Sequence, residues 1–218
     1  MEDTSLTRQT IPERLRSAVK RRDRSLMAPN LADDAELLRA YGAGDEHAFS
    51  RLYDRYDRPC FHFIRRLLGS PHAEAAEDLH QETWIAVSKS AAAFDPCKAS
   101  FPAWLFTIAR RKVLDHFRRQ KAAPFSSSEA EAAMMVHDPG PTPAQQVESR
   151  ELAQRVVYAV EALPLEQRGV FLMFADAGLS LEEIAQMTGV AVETAKSRLR
   201  YARARLKQAL AGERSAYV

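Results

Sequence analysis

Between Ala191 and Lys207, six cations (Lys196, Arg198, Arg200, Arg203, Arg205 and Lys207) stand against one acid, Glu193. Side chains of this kind at this density bind a polyanion. Val192, Ala195, Leu199, Ala202 and Leu206 recur at intervals of three and four, which gives an amphipathic helix one buried face. The opposite face carries Glu193, Ser197, Arg200 and Tyr201, with Thr194, Lys196, Arg198 and Arg203 on its shoulders. Ahead of it, Leu181, Ile184 and Ala185 stripe a shorter helix, and Gly189 supplies a residue able to turn sharply. A short helix, a tight turn and a longer basic helix form a helix-turn-helix, whose second helix enters the major groove of DNA.

A second cationic group lies upstream. The helix expected over 101–120 is aromatic and apolar in its first half, with Trp104, Leu105 and Ile108. Its second half is basic, where Arg110, Arg111, Lys112, Arg118, Arg119 and Lys121 surround the single Asp115. By itself this is also the pattern of an ordinary amphipathic helix with a solvated basic face. Opposite in sign, Glu74, Glu77, Asp78 and Glu82 crowd the polar side of a helix expected from Ser70-Pro71 to about Ser90. Acids in a first turn complement the helix dipole, which accounts for Glu74 and Glu77 but less well for Asp78, Gln81 and Glu82.

The elements that must position these groups are helical throughout. Glycine is scarce, at 8 of 218 residues, and no pair of alternating β-branched stretches reads as strands, so the chain is expected to be all-α. A short helix at Asp34 to Tyr41 ends at Gly42 and Gly44. Asp45 then caps a long helix whose Phe49, Leu52, Tyr53, Tyr56, Phe63, Ile64 and Leu67 fall on one face, expected to be core, and which stops at Gly69. Two small helical domains follow from the pattern, at 31–121 and 149–212. Between them, 122–148 is Pro- and Ser-rich and carries Glu129, Glu131, Asp138 and Glu148 without Lys or Arg, a flexible acidic linker. Residues 1–30 form a basic arm expected to be disordered, and 213–218 a short tail too small for an appended sensor domain.

A net charge of only +2 means that affinity for nucleic acid must come from these local clusters. Cys60 and Cys97 are too few for a disulfide framework, no secretory segment opens the chain, and no apolar run is long enough to cross a bilayer. A cytoplasmic protein without membrane insertion is expected. Cys60, His62, His72 and His80 are better read as packed or solvated than as metal ligands. With no phosphate-cradling glycine loop, zinc-protease motif or nucleophile elbow, no catalytic residue and no cofactor is expected.

Three stretches, HAEAAEDLHQETWIAV (72–87), FDPCKASFPAWLFTIARRKVLDHFRR (94–119) and LPLEQRGVFLMFADAGLSLEEIAQMTGVAVETAKSRLRYARARL (163–206), closely resemble regions 2 and 4 of the bacterial extracytoplasmic-function (ECF) sigma factors, a class of the sigma-70 family. The resemblance implies a region 2 bundle and a region 4 helix-turn-helix in a promoter-recognition subunit of RNA polymerase. Asp78, Gln81 and Glu82 match the patch that docks on the β′ clamp coiled coil, and region 4 implies contact with the β flap. The loop at Phe94, Asp95, Lys98 and Ser100 matches the pocket for a base flipped from the minus-10 element, whose unstacking costs a few kcal/mol. Arg111, Lys112, Asp115, Arg118 and Arg119 match the minus-10 reading helix. Glu193, Thr194, Lys196, Ser197, Arg200, Tyr201 and Arg203 fall where the family reads the minus-35 element.

Arg111 replaces a common Asn, Glu193-Thr194-Ala195 a common Gly-Thr-Val, and Tyr201 a common Arg, so the promoter choice is this chain's own. The resemblance further implies an anti-sigma factor as partner, and two DNA surfaces held apart by the linker. The alternative is a helix-turn-helix transcription regulator with a helical sensing domain, which would bind duplex DNA without polymerase.

Overall fold

The computed structural model describes residues 31–122 and 153–211, and every regular element among them is helical. The arm at 1–30, most of the linker at 122–148 and the tail at 213–218 lie outside the described residues. The first half contains α1 (Leu31–Gly42), α2 (Glu46–Leu68), α3 (Ala76–Ser90) and α4 (Phe101–Ala122). The second contains α5 (helical residues 153–161), α6 (Leu165–Ala175), α7 (Leu181–Thr188) and α8 (Val192–Ala211).

Local chemistry explains most of the boundaries. The Asp45 carboxylate accepts from the backbone N–H groups of His47 and Ala48 and starts α2, and Gly69, at φ +80, ends it. Ser180 and Glu183 form a reciprocal capping box that starts α7. Gly189 ends α7 in the left-handed region at φ +68, where a side chain would be strained, and thereby sets the turn into α8.

Two expectations change. α1 begins at Leu31, ahead of Asp34, and Asp34 is fully buried, with Tyr56 and Arg55 donating to its carboxylate. Burial pushes the Asp34 pKa up against the opposing pull of those two donors. The helix expected from Ser70 is instead a 3₁₀ segment over Ser70–Ala75, broken at His72, and the α-helix proper starts at Ala76. Glu77 and Asp78 therefore occupy its first turn, so the dipole argument covers Asp78 after all and no longer covers Glu74.

The two halves share one hydrophobic core. Leu52, Tyr56, Phe63, Leu67, Phe101, Leu105 and Phe106 belong to the same buried cluster as Leu172, Met173, Ile184, Leu199 and Leu206. The seam between α2 and α6 is close, since a Cβ at Gly169 would lie 3.7 Å from Leu67 Cδ1. The two domains, expected to be held apart by a linker, are thus packed against each other.

Candidate nucleic-acid interface

On α8 Ala195, Leu199, Ala202 and Leu206 are buried as periodicity predicts, whereas Val192, expected on the same face, is 39% exposed in the first turn of the helix, ahead of the seam with α6 and α7. Glu193, Thr194, Lys196, Arg200 and Tyr201 are exposed, and Ser197 is half-buried. Tyr201 leaves 53% of its surface open, with the Arg200 guanidinium 5.2 Å from its ring centre, so an aromatic and a cation project together. Lys196 pairs with Glu193 at 3.3 Å across one helical turn, a contact that a stronger anion would displace. Arg203 behaves differently. Its guanidinium stacks on Phe174 of α6 at 4.9 Å, and burial there lowers its pKa from the ordinary arginine value.

The loop before α4 is organised by Asp95. Its carboxylate accepts from the Cys97 backbone N–H at 3.0 Å and pairs with Lys98 at 3.0 Å. Both contacts, Lys98 first, hold the Asp95 pKa below the usual carboxylate range. Phe94 seats the loop on Trp104, with ring centres 5.2 Å apart, and Phe101 packs on Tyr56 at 5.2 Å beneath it. The Ser100 hydroxyl accepts from the Ala103 backbone N–H at 3.3 Å at the start of α4. Together Phe94, Cys97, Lys98, Ala99, Ser100 and Phe101 line a pocket of about 340 Å³, with Ala35 on one side and Glu183 of α7 on the other. An aromatic floor under a polar rim suits a planar base.

Further along α4, Arg111, Asp115, Arg118 and Arg119 are exposed and Lys112 is half-buried. Lys112 pairs at 2.9 Å with Glu82 of α3, which joins a residue expected to meet DNA to one expected to meet polymerase. Arg118 pairs with Asp115 at 2.9 Å. On α3, Asp78 and Gln81 are exposed, and Ile85, one turn beyond Gln81, is 53% exposed. The result is an acidic and polar strip with an apolar end. Beneath it, the Trp84 indole N–H donates to His80 at 3.0 Å, and Cys60 is fully buried, its thiol pKa raised by that burial. Among the described residues, no group of three His, Cys, Asp or Glu side chains could hold a metal ion.

Several residues of consequence were not singled out in the sequence. Glu166 bridges Arg110 of α4 and Arg198 of α8, at 3.0 Å to each. Burial lowers the Arg110 pKa, and the Glu166 charge works against that shift. Glu183 accepts from Ser100 at 2.6 Å, and Arg66 donates to Asp176 at 2.6 Å. The Ser180-to-Glu183 spacing does signal a capping box, but nothing local signals that Glu183 also reaches a loop 83 positions away.

Residues 52–123 match the family model for Sigma-70 region 2, and residues 153–206 match that for Sigma-70, region 4. The chain is 37% identical over 177 residues to the ECF RNA polymerase sigma factor SigM of Mycobacterium tuberculosis, an alignment spanning 81% of this chain and 84% of that protein. It is 31% identical over 164 residues to the ECF RNA polymerase sigma factor RpoE of Cereibacter sphaeroides, spanning 75% and 87% respectively. Among solved structures, CnrH in complex with the cytosolic domain of CnrY superposes with a TM-score of 0.60 at 25% identity, covering 83% of this chain and 99% of that one. The sigma factor RpoE of Bartonella quintana, in complex with the anti-sigma factor NepR, gives 0.59 at 25% identity over 74% and 96%.

Proposed function

This chain belongs to the sigma-70 family, in its extracytoplasmic-function class, and from that membership we propose how its surfaces divide one promoter between them. It is not an enzyme. It is a subunit that directs core RNA polymerase to promoters and starts promoter opening.

In this reading α8 lies in the major groove of the minus-35 element. Arg200 and Lys196 are the candidates for base edges, Tyr201 is the apolar contact, and Glu193, Thr194, Ser197 and Arg203 flank them. The pocket lined by Phe94, Lys98 and Ser100, on the loop that Asp95 organises, takes a base flipped from the minus-10 element. Arg111, Lys112, Asp115, Arg118 and Arg119 hold the adjoining backbone and upstream bases. Asp78, Gln81 and Glu82 dock on the clamp coiled coil of β′, and the 149–212 domain meets the β flap. An anti-sigma factor is a further proposed partner, since RpoE of Bartonella quintana was solved with one. The working compartment is the cytoplasm, where polymerase and chromosome are. In keeping with this, no described helix is long and apolar enough to cross a membrane.

What supports the assignment best is that one chain carries both family regions, with an exposed basic α8 in one and an aromatic-floored pocket in the other. Transcription with purified core polymerase tests it. Promoter-specific initiation should appear only when this chain is added. Tight duplex binding without polymerase, and no initiation with it, would instead mean a helix-turn-helix regulator with a sensing domain.

A further inference from the structure

No residue expected to meet DNA or polymerase lies on α1, yet α1 carries Asp34, the one charged side chain that is completely buried among the described residues. Its carboxylate accepts from the Tyr56 hydroxyl and the Arg55 guanidinium of α2, and Arg55 also reaches Asp33 at 2.7 Å. Tyr56 is buried beside it. Burial, together with the facing carboxylate, pushes the phenol pKa up, so the hydroxyl keeps its proton and remains a donor. The Tyr56 ring lies 5.2 Å from that of Phe101, a buried residue that lines the pocket before α4. One position further along α1, Ala35 lines the same pocket. A chain of contacts thus runs from α1 through α2 to the pocket floor and returns to the pocket at α1.

Leu37 and Leu38 also bury α1 on its neighbours, but apolar contact has no direction and tolerates a helix that rotates or slides slightly. A carboxylate bonded to both a hydroxyl and a guanidinium does not. Replacing a buried ion pair by apolar residues is often neutral or stabilising, so the contribution of Asp34 is the register it imposes rather than stability. Successive helical residues point about 100° apart, so a bond that fixes Asp34 also fixes the direction of Ala35. The Ala35 methyl gives the pocket a small apolar wall, and any larger side chain at this position would enter the space.

We propose that α1 is a wall of the base pocket and that Asp34 is its positioning residue: by bonding Tyr56 it holds Ala35 against one edge of the flipped base and Phe101 beneath it. This rests on the function proposed above, which makes the occupant of the pocket a base. The size of residue 35 then limits how a base seats, and Asp34 acts on DNA without touching it.

The test uses holoenzyme assembled from the full chain and core polymerase, bound to a fork-junction promoter probe whose nontemplate minus-10 strand is single-stranded. An abasic nucleotide is placed at each minus-10 position in turn. With the wild-type chain, removing the base that occupies the pocket should weaken binding, which locates that position. Ala35→Leu, Asp34→Asn and Tyr56→Phe are then compared on the intact probe and on the probe abasic there. Each should weaken binding to the intact probe by about tenfold and leave binding to the abasic probe nearly unchanged, the non-additivity of groups that act on one contact. A general loss of stability would lower both equally. Asp33→Asn removes the same charge one residue earlier, where the carboxylate bonds Arg55 and not Tyr56, and should bind both probes as wild type does. Should Asp34→Asn lose wild-type helical circular dichroism, Tyr56→Phe carries the test in its place, since it removes one oxygen and keeps the ring on Phe101. Equal losses on the two probes, or wild-type binding by Asp34→Asn and Tyr56→Phe, would overturn the role of α1 and leave the pocket assignment standing. A wild-type holoenzyme indifferent to every abasic position would overturn the pocket assignment itself, and this proposal with it.

Discussion

Helices α4 and α8 carry similar basic sequences and present them differently. On α4, Arg110, Lys112 and Arg118 have carboxylate partners, from α6, from α3 and from within the helix. On the exposed side of α8, the paired cation Lys196 has a partner one turn away in the same helix, and Arg200 lies beside Tyr201. The contrast follows from position. α4 runs through the middle of the molecule, packed on α2, α3 and α7, so its cations meet the acids of neighbouring elements. α8 packs one face on α6 and α7 and leaves the other to solvent. A basic helix in the interior of a fold spends much of its charge on its neighbours, whereas one at the margin does so only along its seam: on α8 Arg198 pairs with Glu166, while Arg200, Arg205 and Lys207 are exposed.

The largest effects should come from the core beneath both helices. Leu105 of α4 and Leu172 of α6, the helix on which α8 packs, are both 0% exposed, and Leu→Ala at either should cost about 2–5 kcal/mol in urea unfolding. Because the two belong to one apolar cluster, both variants should lower the midpoint of a single transition. Two transitions, each moved by one variant, would break the picture of a shared core.

Next in size is Arg200→Ala on α8, expected to cost about 1–3 kcal/mol of discrimination at one minus-35 position if the guanidinium makes a bidentate base contact. Initiation rates across promoters substituted at each position would locate the loss. Arg118→Ala on α4 should weaken initiation more evenly, and equal, position-independent losses for both would erase the contrast. On α3, Asp78→Ala combined with Gln81→Ala should weaken binding to core polymerase by about tenfold, roughly 1.4 kcal/mol, and leave duplex and single-stranded DNA affinity alone. Wild-type affinity for core would remove the strip from the docking surface.

The smallest change is expected from Glu82→Gln, which breaks a partly exposed ion pair with Lys112 and should alter stability by no more than about 1 kcal/mol. It should also loosen Lys112 toward DNA, so that single-stranded affinity rises slightly as stability falls. A loss of more than about 2 kcal/mol would mean that the α3–α4 pairing is a structural requirement, beyond what an exposed pair supplies.

Sequence alone determined the parts of this protein whose physics is local. A helix needs only its own apolar spacing, so the buried face of α8 was legible from Ala195 to Leu206, and the caps at Asp45 and Gly189 were legible from residue type and neighbours. The family resemblance then pointed to the loop before α4, the polar strip on α3 and the helices α4 and α8 as the surfaces to test. Local signals misplaced the start of α3, because Pro71 suits the first turn of a 3₁₀ segment as well as that of an α-helix. They also left Asp34 unread, since a carboxylate is buried only where donors from another helix reach it. Which carboxylate meets which guanidinium was decided by tertiary structure alone. Arg66 and Asp176 are 110 positions apart, and Arg110 and Glu166 are 56 apart. A charged side chain in sequence has no preferred partner; packing of α6 and α7 against α2 and α4 selects one by bringing it within hydrogen-bond reach and limiting its access to water.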